Sequence, residues 1–142
     1  MHTREKTRQI TVKGVPIGGG APVTVQSMTN THTTDINATV SQIRTLMSAG
    51  CDIVRLAVPN ANAADALPDI RSAVDVPLVA DIHFSHTLAI KAVEAGIDKL
   101  RINPGNIGDT AKVREVAAAA KERRVPIRVG VNAGSLRADI LE

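Results

Sequence analysis

Residues 98–108 read DKLRINPGNIG, and the reading of the fold starts from them. Leu100 and Ile102 alternate with Lys99 and Arg101 at the period of two that a pleated strand requires. Pro104 then removes a backbone donor, and Gly105 and Gly108 open the backbone to positive φ, so the strand ends there. Asp109 stands at the N-cap of a long Ala-rich helix. A strand, a Gly-rich turn and a helix N-terminus, with Arg101 and Asn103 at the junction, make a candidate anion-binding corner. The alternative is a plain turn, since Asn, Pro and Gly are what turns are made of.

The same cadence runs through the rest of the chain. Residues 9–19, QITVKGVPIGG, predict two short strands around Lys13-Gly14, a hairpin-like entry. Residues 22–27 predict a strand, apolar at Val23 and Val25, followed by a polar loop over 28–34 that is too hydroxyl-rich to be core. Thr34 or Asp35 caps a helix with Ile36, Val40, Ile43 and Met47 on one face, closed by Gly50. Residues 52–58 form a strand stopped by Pro59, and 61–74 a helix interrupted at Pro68. A strand over 77–81 leads into Ile82-His83-Phe84, and Ser85 caps a helix with Leu88, Ala89, Ala92 and Val93 inward. The helix after Asp109 turns Val113, Val116, Ala117 and Ala120 to one side. A last strand over 126–131 precedes Asn132-Ala-Gly-Ser135 and the start of another helix.

Strands therefore begin near residues 23, 52, 77, 98 and 126, each followed by a helix. That spacing is the signature of repeated βα units, which build a parallel sheet. Two architectures fit, a (β/α)8 TIM barrel and an open doubly wound sheet. No G-x-G-x-x-G follows the first strand, and the entry hairpin suits the bottom of a barrel, so the α/β barrel is the expectation. With five strands in place, an unclosed barrel exposes two strand edges. Residues 1–142 are thus expected to be the N-terminal part of a longer barrel.

Composition narrows the function classes. The chain has 142 residues, 44% hydrophobic and 22% charged, an ordinary globular balance. One Phe and no Tyr or Trp argue against single-stranded nucleic-acid binding by base stacking, and the net charge of +3 is spread along the chain. No nucleic-acid partner is expected. Cys51 is the single cysteine, so it forms no intramolecular disulfide and alone holds neither an iron–sulfur cluster nor a structural zinc. After Gly50 and before an apolar strand, it reads as a small buried residue. No apolar run approaches a membrane span and the N-terminus lacks a signal-peptide core, which predicts a cytoplasmic protein without a membrane partner.

In parallel βα folds, chemistry collects at the carboxyl ends of the strands. Those ends carry Gln26 and Ser27, then Arg55, Asp81 with His83, Arg101 with Asn103, and Arg128 with Asn132. Three strands each deliver an arginine to one end. Arginine inside a barrel is costly unless paired or met by an anion, and its planar fork suits phosphate oxygens. Three converging forks point to a ligand with more than one phosphoryl group. The competing reading pairs the arginines internally with Asp81 and other carboxylates. Asp81 and His83 share a face at i, i+2, either as an acid–base or orienting pair or as a hydrogen-bonded structural histidine. His2, His32 and His86 show no metal-ligand spacing with His83.

Five stretches taken in order, VQSMTNTHTTD (25–35), AGCDIVRLAVP (49–59), PLVADIHF (77–84), DKLRINPGNIG (98–108) and IRVGVNAGSL (127–136), resemble the N-terminal barrel of the bacterial 4-hydroxy-3-methylbut-2-enyl diphosphate synthase family. The resemblance covers essentially the whole chain. It implies an oxidoreductase of the non-mevalonate isoprenoid pathway, which reductively opens and dehydrates 2-C-methyl-D-erythritol 2,4-cyclodiphosphate. Electrons would come from ferredoxin or flavodoxin through a [4Fe-4S] cluster. It also implies that Arg55, Asp81, His83, Arg101, Asn103, Arg128 and Asn132 grip the cyclic diphosphate. The resemblance implies a cluster held by three Cys and a Glu of a C-terminal domain, and residues 1–142 are expected to contain neither that domain nor any cluster ligand. The family is a homodimer in which the cluster domain of one subunit closes over the barrel of the other. The isolated chain is therefore expected to be inactive. Two other readings stay open: another phosphate-handling barrel, such as a dihydropteroate-synthase-like transferase, and a non-catalytic binding module.

Overall fold

The computed structural model describes residues 3–131 and Gly134. After a 3-10 turn at Arg4–Lys6, β1 (Ile10–Val12) and β2 (Val15–Ile17) form an antiparallel hairpin with Val12 opposite Val15. Lys13 and Gly14 both take positive φ, +43° and +85°, the left-handed pair that a tight two-residue hairpin turn requires. Then follow β3 (Gln26–Met28), α1 (Ile36–Ser48), β4 (Ile53–Ala57), α2 (Ala61–Asp65), α3 (Leu67–Ala73), β5 (Leu78–Asp81), α4 (His86–Glu94), β6 (Lys99–Ile102), α5 (Pro104–Ile107), α6 (Thr110–Glu122) and β7 (Ile127–Val129). Among the described residues, β3 to β7 form one sheet in sequence order, every neighbouring pair parallel.

Which side the helices take decides between the two architectures. Val54, Leu56, Leu78, Ala80, Leu100 and Ile102 all point to one face of the sheet. There they join Val40 and Ile43 of α1, Leu67 and Ile70 of α3, Ala89 and Val93 of α4, and Val116 and Ala120 of α6 in a single core. A doubly wound sheet would put helices on both faces and reverse its strand order at a switch point. Here one face takes all of them and the order never reverses, which is how a barrel winds. The opposite, inner face carries Gln26, Ile53, Arg55, Val79, Asp81, Lys99, Arg101 and Arg128, by the strict alternation of strand side chains.

The hairpin lies under the amino ends of the strands. Lys13 Nζ donates to the backbone carbonyl of Asp75 at 3.0 Å and to its carboxylate at 2.6 Å. Arg71 ties the same end together. It donates to the carbonyls of Val74 and Val76 and to Asp98, whose carboxylate also accepts from Leu78 N–H at 2.8 Å. No helix among the described residues is long and apolar enough to cross a membrane.

Several local expectations are corrected. The strand predicted over 22–27 begins at Gln26 and includes Met28, while Val23 and Val25 are exposed. Its neighbour β4 starts only at Ile53, so residues before Val25 have no strand to pair with, and the Val25 N–H is taken by the Asp52 carboxylate at 2.7 Å. The hydroxyl-rich loop is not all surface: Thr29 and Thr33 are buried, and Thr33 Oγ1 donates to the Ala57 carbonyl at 2.6 Å. Asp35, rather than Thr34, caps α1, and Leu46 packs on the core where Met47 was expected. Ala117 is exposed, and Cys51 is half-buried rather than buried. Pro68 stands in the first turn of α3, where the helical run breaks in two as the interruption in the sequence implied.

Candidate functional site

The carboxyl end of the inner face holds one carboxylate among arginines. Asp81, the last residue of β5, lies in register with Ala57 of β4 and Arg101 of β6, and Arg101 in turn with Arg128 of β7. Arg55 sits two residues below Ala57 and reaches up. Its Nη2 stands 2.5 Å from Asp81 Oδ2, while Arg101 Nη1 stands 3.2 Å from Asp81 Oδ1. Asp81 is 1% exposed, whereas the two arginine side chains keep about a quarter of their surface open, at 23% and 24%. His83, in the loop after β5, places Nε2 3.5 Å from Asp81 Oδ2. Phe84 beside it is exposed at the mouth.

Internal pairing is thus realised for two of the three arginines, both on the same carboxylate. One negative charge cannot balance both, and the Arg55 Nε–H is buried without an acceptor. Arg128 has no carboxylate within ion-pair distance among the described residues, and it lines a cavity with Thr24, Gln26, Ile53, Lys99 and Ile17 of the hairpin. Lys99, one row below Arg101, is buried, and burial followed by repulsion from Arg128 holds its ammonium below the usual lysine range. Sequence reading gave Lys99 no role. Its signal was the i, i+2 spacing to Arg101, which puts both cations on the inner face.

Asn103 is buried and caps α5, its Oδ1 accepting from Gly105 N–H at 3.1 Å. This corrects the helix-N-terminus version of the anion corner. Pro104–Ile107 is a helical turn rather than an open loop, Gly105 does not take positive φ, and Gly108 does, at +126°. The N-terminal donors of α5 and α6 are engaged by Asn103 and by Asp109, whose carboxylate accepts from Lys112 N–H at 3.0 Å. That bond, together with the Lys112 charge, holds the Asp109 carboxyl below its ordinary range. Asn132 lies outside the described residues.

The GcpE TIM-barrel domain family matches residues 7–142. The chain belongs to that family. The curated relatives are each called a 4-hydroxy-3-methylbut-2-en-1-yl diphosphate synthase (flavodoxin). The protein of Acidithiobacillus ferrooxidans is 60% identical over 139 residues, 98% of this chain and 38% of its own length. That of Geobacillus thermodenitrificans is 59% identical over 139 residues, covering 98% and 37%. That of Thermodesulfovibrio yellowstonii is 57% identical over 142 residues, covering 100% and 41%. The chain thus spans about two fifths of the length of the curated relatives it matches. Among solved structures, dihydropteroate synthase from Yersinia pestis superposes with a TM-score of 0.67 at 14% identity, over 92% of this chain and 49% of that one. The Xanthomonas albilineans dihydropteroate synthase gives 0.61 at 16%, over 92% and 52%. At such identities the likeness concerns the barrel fold, which agrees with five parallel strands joined by helices wound one way in a GcpE-type barrel.

No group of three or more His, Cys, Asp or Glu side chains among the described residues is placed to hold a metal ion. Cys51, at the amino end of β4, donates its thiol to the Ile53 carbonyl at 3.0 Å. These residues do not fit an iron–sulfur cluster.

Proposed function

We propose that this domain is the substrate-gripping part of a 4-hydroxy-3-methylbut-2-en-1-yl diphosphate synthase, and that the carboxyl end of its inner face binds 2-C-methyl-D-erythritol 2,4-cyclodiphosphate. One observation carries the reading: Arg55 and Arg101 meet from two strands on the buried Asp81 carboxylate at the carboxyl end, and Arg128 is the register neighbour of Arg101 on the next strand. The surplus positive charge suits a diphosphate, and two planar forks held by one buried carboxylate are already oriented for bidentate contact. Asp81 fixes the forks, Arg128 adds a cation with no carboxylate in ion-pair distance among the described residues, and His83 stands at the rim where a ligand oxygen would meet its ring. Asn103 shapes the loop beside them, and Asn132 completes the proposed set.

The reductive step belongs to the remaining three fifths of such a protein. There a [4Fe-4S] cluster on a separate domain would supply the electrons, received from flavodoxin, the donor in the relatives' names, or from ferredoxin. A homodimer that brings a cluster domain over this barrel follows from the same reading, and the 142-residue chain alone is inactive. Calorimetric titration of the chain with the cyclic diphosphate, in parallel with inorganic pyrophosphate, tests the assignment. Saturable binding of the cyclic ligand supports it. A folded sample that binds neither ligand sinks it.

A further inference from the structure

Gly130 follows β7 and continues its pairing, its N–H donating to the Ile102 carbonyl at 2.9 Å. Its φ lies outside the left-handed region, so the backbone does not call for glycine. On conformational grounds alone, alanine would be tolerated there or would stabilise by restricting the unfolded chain. What a side chain there would have to displace is the far end of Arg101. A Cβ at residue 130 would stand 2.9 Å from Arg101 Nη2, 3.0 Å from Nε and 3.3 Å from Cζ. The Arg101 guanidinium rests directly on the bare α-carbon of β7. Its third nitrogen, Nη1, faces the other way and donates to Asp81 Oδ1 at 3.2 Å.

We infer that Gly130 is a positioning residue for the anion cradle: its missing side chain is the shelf against which Asp81 holds the Arg101 fork. The inference rests on the reading that Arg101 contacts the diphosphate. Lodged between a carboxylate on one side and a backbone on the other, the guanidinium has little freedom to rotate. A methyl group at residue 130 displaces it from the shelf, and either the Asp81 bond lengthens or the fork turns out of line.

A double-mutant cycle separates this role from general damage to β7. Gly130→Ala should weaken pyrophosphate binding about tenfold, the size expected when one charge-assisted contact is misaligned. In an Arg101→Gln background the same substitution should change affinity less than about twofold, because the colliding group is gone. The Arg101 Nε–H resonance should also move in Gly130→Ala, without ligand. A tenfold loss that persists in the Arg101→Gln background overturns the inference, as does wild-type affinity in Gly130→Ala. If the parent chain binds no diphosphate, the functional reading fails by itself. The urea midpoint then carries the cycle: Gly130→Ala must destabilise the parent and not the Arg101→Gln variant, and equal losses in both overturn the shelf.

Discussion

Replacing Asp81 with asparagine keeps the shape of the side chain and removes its charge. In the native structure that charge balances Arg55 at 2.5 Å and Arg101 at 3.2 Å from a site only 1% exposed. Removing one partner of a fully buried pair costs about 3–5 kcal/mol. Here the arginines retain about a quarter of their exposure and recover some hydration, which brings the expected loss to roughly 2–4 kcal/mol. With a urea dependence of roughly 2 kcal/mol per molar for a domain of this size, the unfolding midpoint should fall by about 1–2 M. With one Phe and no Trp or Tyr, the transition must be followed by far-ultraviolet circular dichroism rather than intrinsic fluorescence. Inorganic pyrophosphate should recover more stability in Asp81→Asn than in the parent, because the anion supplies the missing counter-charge. A midpoint within about 0.3 M of the parent would refute the reasoning, since it would mean the two guanidiniums do not depend on this carboxylate.

Other residues give separate tests. Arg101→Ala should weaken binding of the cyclic diphosphate by roughly 1.5–3 kcal/mol in calorimetry, and unchanged affinity would leave Arg101 as a structural partner of Asp81 only. Lys99 sheds its proton more easily folded than unfolded, so stability should rise with pH from its lowered value up to the ordinary lysine value of about 10.4. Lys99→Met should flatten that rise in urea titrations run across alkaline pH, and an unaltered slope would contradict the assignment. Asn103→Ala removes the cap on Gly105 N–H and should cost about 1 kcal/mol in thermal melts, with no change counting against the cap.

The repeating parts of the fold were legible because they depend on local pattern. Leu100 and Ile102 alternate with Lys99 and Arg101 along one strand, and Asp109, Ser85 and Asp35 announce helix starts with side chains that do cap them. What escaped depends on residues far apart in the chain. Thr33 looked like loop surface because its acceptor, the Ala57 carbonyl, lies 24 residues on. The pairing of Asp81 with the arginines stood only as the competing reading, because Arg55 and Arg101 lie 26 and 20 residues away and only strand register brings those together. Lys99 was invisible as a buried cation because its cover includes a hairpin from the other end of the chain.

The strand order has a consequence for how the charges come together. Each strand of the sheet pairs with the one made just before it, so the domain can assemble in the direction of synthesis. On such a path Arg55 is in place on β4 when β5 delivers Asp81, and the carboxylate meets a cation as soon as it leaves water. Arg101 arrives a unit later to a partner already fixed. At no stage must the growing sheet bury a solitary negative charge, and the order of residues 55, 81 and 101 along the chain is itself what spares it.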